Sequence, residues 1–123
     1  MKVAILGASD KPDRYSYKAL QMLKKYGHEV FPINPVKDYI DGVKVYKSSI
    51  DIDTEIDVLT LYIGSDRLGA LTDEIIALKP KTVIFNPGTE NHDVMTTLTS
   101  EGIKTIEACT LVLLRTGQFT SIV

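Results

Sequence analysis

Lys2-Val-Ala-Ile-Leu-Gly-Ala-Ser-Asp-Lys-Pro-Asp-Arg-Tyr-Ser-Tyr17 is the stretch from which the fold follows. Val3 to Leu6 is an unbroken apolar run of strand length, and it stops at Gly7, where the lack of a side chain lets the backbone turn and approach a ligand closely. Downstream, Ala19, Leu20, Met22, Leu23 and Tyr26 are spaced to build one apolar helix face. Strand, small-residue loop and helix in this order form the opening of a nucleotide-binding βαβ unit. The unpaired N–H groups and positive dipole end of such a helix start favour a phosphate. Lys11, Arg14 and Lys18 add three cations at the same place.

The glycine pattern departs from the dinucleotide fingerprint. That motif needs three glycines and an acidic residue roughly 20 positions on to hold a ribose. Here Gly7 stands alone and the second strand runs into Pro32-Ile33-Asn34-Pro35. A nicotinamide dinucleotide is therefore the weaker expectation, and a plain turn that binds nothing is the structural alternative.

The rest of the chain repeats the alternation. Glu29-Val-Phe-Pro-Ile33 reads as the second strand after a cap at Gly27, and Asn34-Pro35 forces a turn. Lys44-Val-Tyr46 is a short extended piece after the Asp41-Gly42 turn, and one helical turn begins at Ser48-Ser49. Asp57 to Tyr62 is the third strand, and Ser65 or Asp66 caps a helix that buries Leu68, Leu71, Ile75, Ile76 and Leu78 before Pro80. Thr82 to Phe85 is the fourth strand, and Asn91 or His92 opens a helix that stops at Gly102. Ile103 to Ile106 is the fifth strand, and Leu111 to Leu114 a last buried helix ending near Gly117. Right-handed crossovers then give an α/β, Rossmann-like, doubly wound domain spanning residues 1–123, with a mostly parallel five-stranded sheet and helices on both faces.

Several function classes are excluded by composition. The 123 residues suffice for one core only, and 44% hydrophobic with 24% charged residues is ordinary globular composition. A net charge of −2 provides no broad basic surface, so nucleic acid is not an expected partner. No run approaches the roughly 18 apolar residues of a membrane span. Met1-Lys2 leads straight into strand residues without a signal peptide, which makes cytoplasmic the expected location. The single Cys109 excludes an internal disulfide and a cysteine-rich zinc site, and no metal is expected.

Val3-Ala-Ile-Leu-Gly-Ala-Ser-Asp-Lys-Pro-Asp-Arg-Tyr-Ser16, then Gly27-His-Glu-Val-Phe-Pro-Ile-Asn-Pro35, then Phe85-Asn-Pro-Gly-Thr-Glu-Asn91 together resemble the small stand-alone CoA-binding proteins. These are similar to the N-terminal CoA-binding domain of the succinyl-CoA synthetase alpha subunit. The resemblance implies that CoA or an acyl-CoA is the ligand. Gly7, Ala8 and Ser9 would approach its pyrophosphate, while Pro12, Arg14, Tyr15 and Ser16 close over it. Ile33, Asn34 and Pro35 would lie beside the adenosine, with Lys37 as the cation for a ribose phosphate. Tyr62, Ile63 and Gly64, with Asn86, Pro87 and Gly88, match the strand ends along the adenine or pantetheine path. The stand-alone proteins tend to carry Gln-Leu-Gly at Asn86-Pro-Gly88 and Asp-Arg-Cys at Glu107-Ala-Cys109, so the two patterns part at the pantetheine end.

No catalytic constellation is visible. His28 and His92 have no Ser/His/Asp spacing around them, and the histidine that the synthetases phosphorylate belongs to a domain outside the resemblance. Cys109 reads either as a small buried residue or as a thiol that meets the CoA thiol. The expectation is a CoA-binding protein without catalysis of its own. Its alternatives are an NAD(P)-type dinucleotide-binding enzyme or subunit, and an assembly domain with an empty cleft. The sequence does not choose between a homodimer and a partner enzyme subunit. It further predicts that Gly7→Val removes binding and leaves the helices intact, because the side chain would take ligand space.

Overall fold

The computed structural model describes residues 1–123. Five parallel strands form its centre: β1 (Lys2–Leu6), β2 (Glu29–Ile33), β5 (Val58–Leu61), β6 (Thr82–Phe85) and β7 (Lys104–Glu107). A two-residue hairpin, β3 (Tyr39–Ile40) and β4 (Val43–Lys44), stands apart from them. Four helices complete the domain: α1 (Tyr15–Lys25), α2 (Ser65–Leu78), α3 (His92–Ser100) and α4 (Thr110–Arg115). None of them is long and apolar enough to cross a membrane.

The strands are apolar almost throughout because both faces of the sheet are covered. Period-two alternation sends Val3, Ile5, Val58 and Ile84 against Leu20 and Leu23 of α1, Leu114 of α4 and Phe119 of the C-terminal 3-10 turn. Leu6, Phe31, Leu59, Leu61 and Phe85 face the other way and pack on Leu68, Ile75 and Leu98 of α2 and α3. All of these side chains are buried. At about 1.5 to 3 kcal/mol for each large apolar side chain, these two layers supply most of the force that closes the domain.

Strand order is β2-β1-β5-β6-β7. From β1 the chain moves outward to β2, then returns across the sheet to β5 on the opposite side of β1. Order therefore reverses between β1 and β5, and in open α/β sheets that reversal opens a crevice at the carboxyl ends of the strands. β2 is the outer strand on one side, which is why Pro32 fits into it. Tyr46 covers part of its outer edge, donating its N–H to Pro32 O and accepting from Asn34 N, both at 2.9 Å. No strand lies beyond β7 on the opposite side.

Three local expectations change. Helix α1 starts at Tyr15, one turn upstream of the apolar stripe, because Arg14 O accepts from the amides of Tyr17 and Lys18. Helix α2 begins after Gly64, which fills the cap position with no side chain, so neither Ser65 nor Asp66 caps it. Asp41 and Gly42, with φ of 52° and 75°, form a two-residue turn of the kind that closes hairpins, making β3–β4 where only a short extended piece was expected.

Candidate functional site

The loop from β1 to α1 is held open by its neighbours. Gly7 has φ +88°, and a Cβ there would lie 2.7 Å from Tyr62 O and 2.6 Å from Ile63 Cγ2. Gly7 is thus demanded by the end of β5 itself, which corrects the expectation that Gly7→Val leaves the fold intact. Past it, Ala8 N donates to Ile33 O at 3.1 Å, and Asn34 Nδ2 donates to Ala8 O at 2.8 Å. Asn34 Oδ1 accepts from the amides of Val36 (2.8 Å) and Lys37 (3.0 Å). The Asn34 side chain therefore clamps two loops together instead of reaching outward.

The loop ends at an uncapped helix. Arg14 is extended at the N-cap of α1 and offers no side-chain cap, so the amides of Tyr15 and Ser16, two residues that line the cleft, have no protein acceptor. Lys11 and Arg14 form no ion pair, since the ion pairs of the structure involve Lys24, Lys37, Lys47 and Lys81. Lys37 binds Asp10 at 3.0 Å, and this ammonium holds the Asp10 carboxyl below its usual range. Lys18 lies 5.3 Å from the ring centroid of Tyr15, turned toward the aromatic face.

Three neighbouring compartments that share wall residues follow the strand ends. The central cleft, about 630 Å³, is lined by Gly7, Ala8, Ser9, Arg14, Tyr15 and Ser16 on one side. Asn34, Pro35, Lys37, Tyr62 and Ile63 line it on the other. Behind the shared residues Gly7, Pro35, Ile63 and Arg67 lies a cavity of about 300 Å³ that adds Leu6, Ile33, Lys47, Ser48, Ser49, Leu71, Glu74 and Ile75. Past Tyr15 and Tyr62 the central cleft adjoins a third space of about 260 Å³, walled by Asn86, Pro87, Cys109 and Leu111. Burial pushes the Tyr62 phenol up to about 12, so it stays neutral at any physiological pH.

The structure thus brings together most of the positions singled out in the sequence. Pro12, Gly64 and Gly88 stand outside the lining of all three compartments. Pro12 is exposed at the loop tip, Gly64 serves as the cap of α2, and Gly88 gives its N–H to Glu90 Oε1 at 2.8 Å. Asn86 touches the third space, but its side chain is spent internally. Its Nδ2 donates to Thr60 Oγ1 (2.6 Å) and Leu61 O (2.9 Å), while Oδ1 accepts from Thr110 N (2.9 Å).

Arg67 and Glu74 are the functional candidates that the sequence did not reveal. Arg67 lines both the central cleft and the inner cavity and has no ion pair. It lies in the first turn of α2 next to Asp66 without pairing with it, although the positive helix end disfavours an unpaired cation. That misfit between charge and dipole is the signal by which it could have been found.

Neither histidine reaches the crevice. His28 sits at the opposite end of the sheet with Nδ1 3.0 Å from the N-terminal ammonium and its ring edge-on to Phe119. Burial first, and the terminal charge second, lower its pKa. His92 is exposed at the start of α3.

Known proteins share this arrangement. A crystal structure of an uncharacterized protein, 39% identical, superposes with a TM-score of 0.87 over 96% of this chain and 97% of that one. The uncharacterized protein YneT of Bacillus subtilis is 29% identical over 101 residues, 82% of this chain and 75% of YneT. An ADP-forming acetate–CoA ligase of Methanocaldococcus jannaschii is 38% identical over 61 residues, half of this chain but only 9% of that enzyme. A family profile described as the CoA binding domain matches residues 1–115. A match over nearly the whole chain, on a sheet whose order reverses beside an open helix start, makes this protein a member of the CoA binding domain family.

Proposed function

We propose that the protein binds CoA or an acyl-CoA along the carboxyl ends of its strands and performs no chemistry on it. The observation that carries this reading is the change of character along three adjoining pockets that share walls. The middle pocket has an uncapped helix start with unpaired Lys11, Arg14 and Arg67 around it, suited to phosphates. One end is a cavity of mixed apolar and polar lining, and the other is apolar and without a charged side chain. CoA has the same order: adenosine, phosphates, then an uncharged pantetheine arm. The adenosine would enter the cavity beside Ile33 and Pro35, and the arm would run between Tyr15 and Tyr62 toward Cys109.

Two further points support it. The matched part of the Methanocaldococcus ligase lies in an enzyme named for CoA chemistry. The end of β2, where a nicotinamide dinucleotide's ribose would need a carboxylate, carries Asn34 with its oxygen already engaged. Calorimetric titration with CoA, acetyl-CoA and NAD(P) side by side tests the reading. Binding of the two CoA species without NAD(P) is the expected result. Equal affinity for all, or for none, overturns it.

A further inference from the structure

The inner cavity contains a carboxylate with unused capacity. Glu74, half-buried on α2, receives the Ser48 hydroxyl on Oε1 at 2.6 Å. Ser48 in turn caps the 3-10 turn Ser49–Asp51, and the Ser49 hydroxyl donates to the Glu74 backbone carbonyl at 3.5 Å, so the turn is tied to α2 and Ser48 holds one oxygen of the side chain. Oε2 has no partner, and no cation pairs with the carboxylate. The remaining walls combine Leu6, Ile33, Ile63, Leu71 and Ile75 with two cations, Lys47 and Arg67, neither of which pairs with this carboxylate: Lys47 is engaged by Asp38.

A carboxylate oxygen with no protein partner on the wall of a cavity of mixed lining suits a donor carried on a flat apolar body, and once a bound base shuts out water, leaving that oxygen unpaired costs more than the bond contributes. We propose that Glu74 is the residue that reads the base of the bound nucleotide: Oε2 accepts the exocyclic amino group of a 6-aminopurine. The inference rests on the CoA reading above and adds to it a reason for adenine. A 6-oxopurine turns a carbonyl lone pair toward the carboxylate, so rejection is built into the same contact. Because Ser48 holds Oε1 as an acceptor, Glu74→Gln directs its amide N–H₂ into the position of Oε2. An acceptor becomes a donor with little change in shape.

The probes are adenosine 3′,5′-bisphosphate and inosine 3′,5′-bisphosphate, titrated calorimetrically into wild type and Glu74→Gln, with CoA as a parallel arm. Wild type should prefer the adenosine compound by about tenfold or more, the ratio matching a hydrogen bond to a charged group. Glu74→Gln should level or invert that ratio while its thermal melt stays close to wild type. A wild-type ratio near one overturns the proposal even if the variant does not fold. So does an unchanged ratio in a folded Glu74→Gln, which would leave Glu74 only a brace for Ser48. CoA binding with no base preference would sink this proposal alone, whereas no binding of CoA at all would sink both it and the functional reading.

Discussion

The loops after β1 and β6 begin alike and end differently. Each leaves a buried strand through a glycine at positive φ, Gly7 at +88° and Gly88 at +93°, and each leads into a helix. The β6 loop satisfies itself: Gly88 N binds Glu90, Thr89 N and Oγ1 both donate to Asn86 O, and Asn91 Oδ1 caps Val94 N at 3.1 Å. Asn91 Nδ2 also ties down Ser65 O. The β1 loop leaves its helix uncapped and surrounds it with unpaired cations. One loop has completed its own hydrogen bonding, while the other leaves the Tyr15 and Ser16 amides without a protein acceptor.

The sharpest break in that comparison comes from the glycines themselves. Gly7→Val should destabilise the protein by about 2 to 5 kcal/mol, since left-handed strain adds to overpacking against Tyr62 and Ile63. Gly88→Ala meets nothing within 4 Å and should cost only the strain, about 1 to 2 kcal/mol. Urea unfolding of both variants checks the difference, and equal losses would show that contact with β5 does not matter. Next in size is Arg14→Ala, which should weaken CoA by about 1.5 to 3 kcal/mol with stability unchanged. Wild-type affinity should also fall as salt rises. An unchanged dissociation constant at low and high salt in both proteins would leave backbone N–H groups as the whole anion site.

Asn91→Ala reverses the pattern. It removes a cap and should cost about 1 kcal/mol of stability while CoA affinity stays at the wild-type value. Weakened binding there would mean that the closed loop also serves the ligand. The smallest effect lies at the far end of the sheet. With its folded pKa lowered by burial, His28 stays neutral in the native state while the unfolded chain takes up the proton first. This contribution to stability is therefore intact above about pH 6.5 and is lost as pH falls from there through the folded value. Melting curves from pH 7.5 to 5 should show a decline that His28→Gln flattens.

The sheet and its helices were legible because strands covered on both faces announce themselves as continuous apolar runs, as Val3–Leu6 and Thr82–Phe85 do. The hairpin was not, since two-residue strands carry no periodicity for Tyr39–Ile40 to display. In the site, backbone-determined positions such as Gly7–Ser9 and Ile33–Pro35 could be read from their place at strand ends. Side-chain roles could not: Asn34 and Asn86 look outward-facing in sequence and prove to be internal clamps. Arg67, Leu71, Glu74 and Ile75 share one stripe of α2, but only the return of the chain at Ser48 decides that this stripe borders a cavity.

The two borders of the sheet differ in what they leave for another strand. Beyond β2, Tyr46 already occupies part of the ladder and Pro32 has no N–H to give. Beyond β7 the ladder is vacant, with Lys104 and Glu107 exposed along it. Growth by strand addition needs a donor edge and a receiving edge on every unit. With the ladder broken along part of the β2 border, growth through both borders at once, the route to a fibre, is hindered on that side.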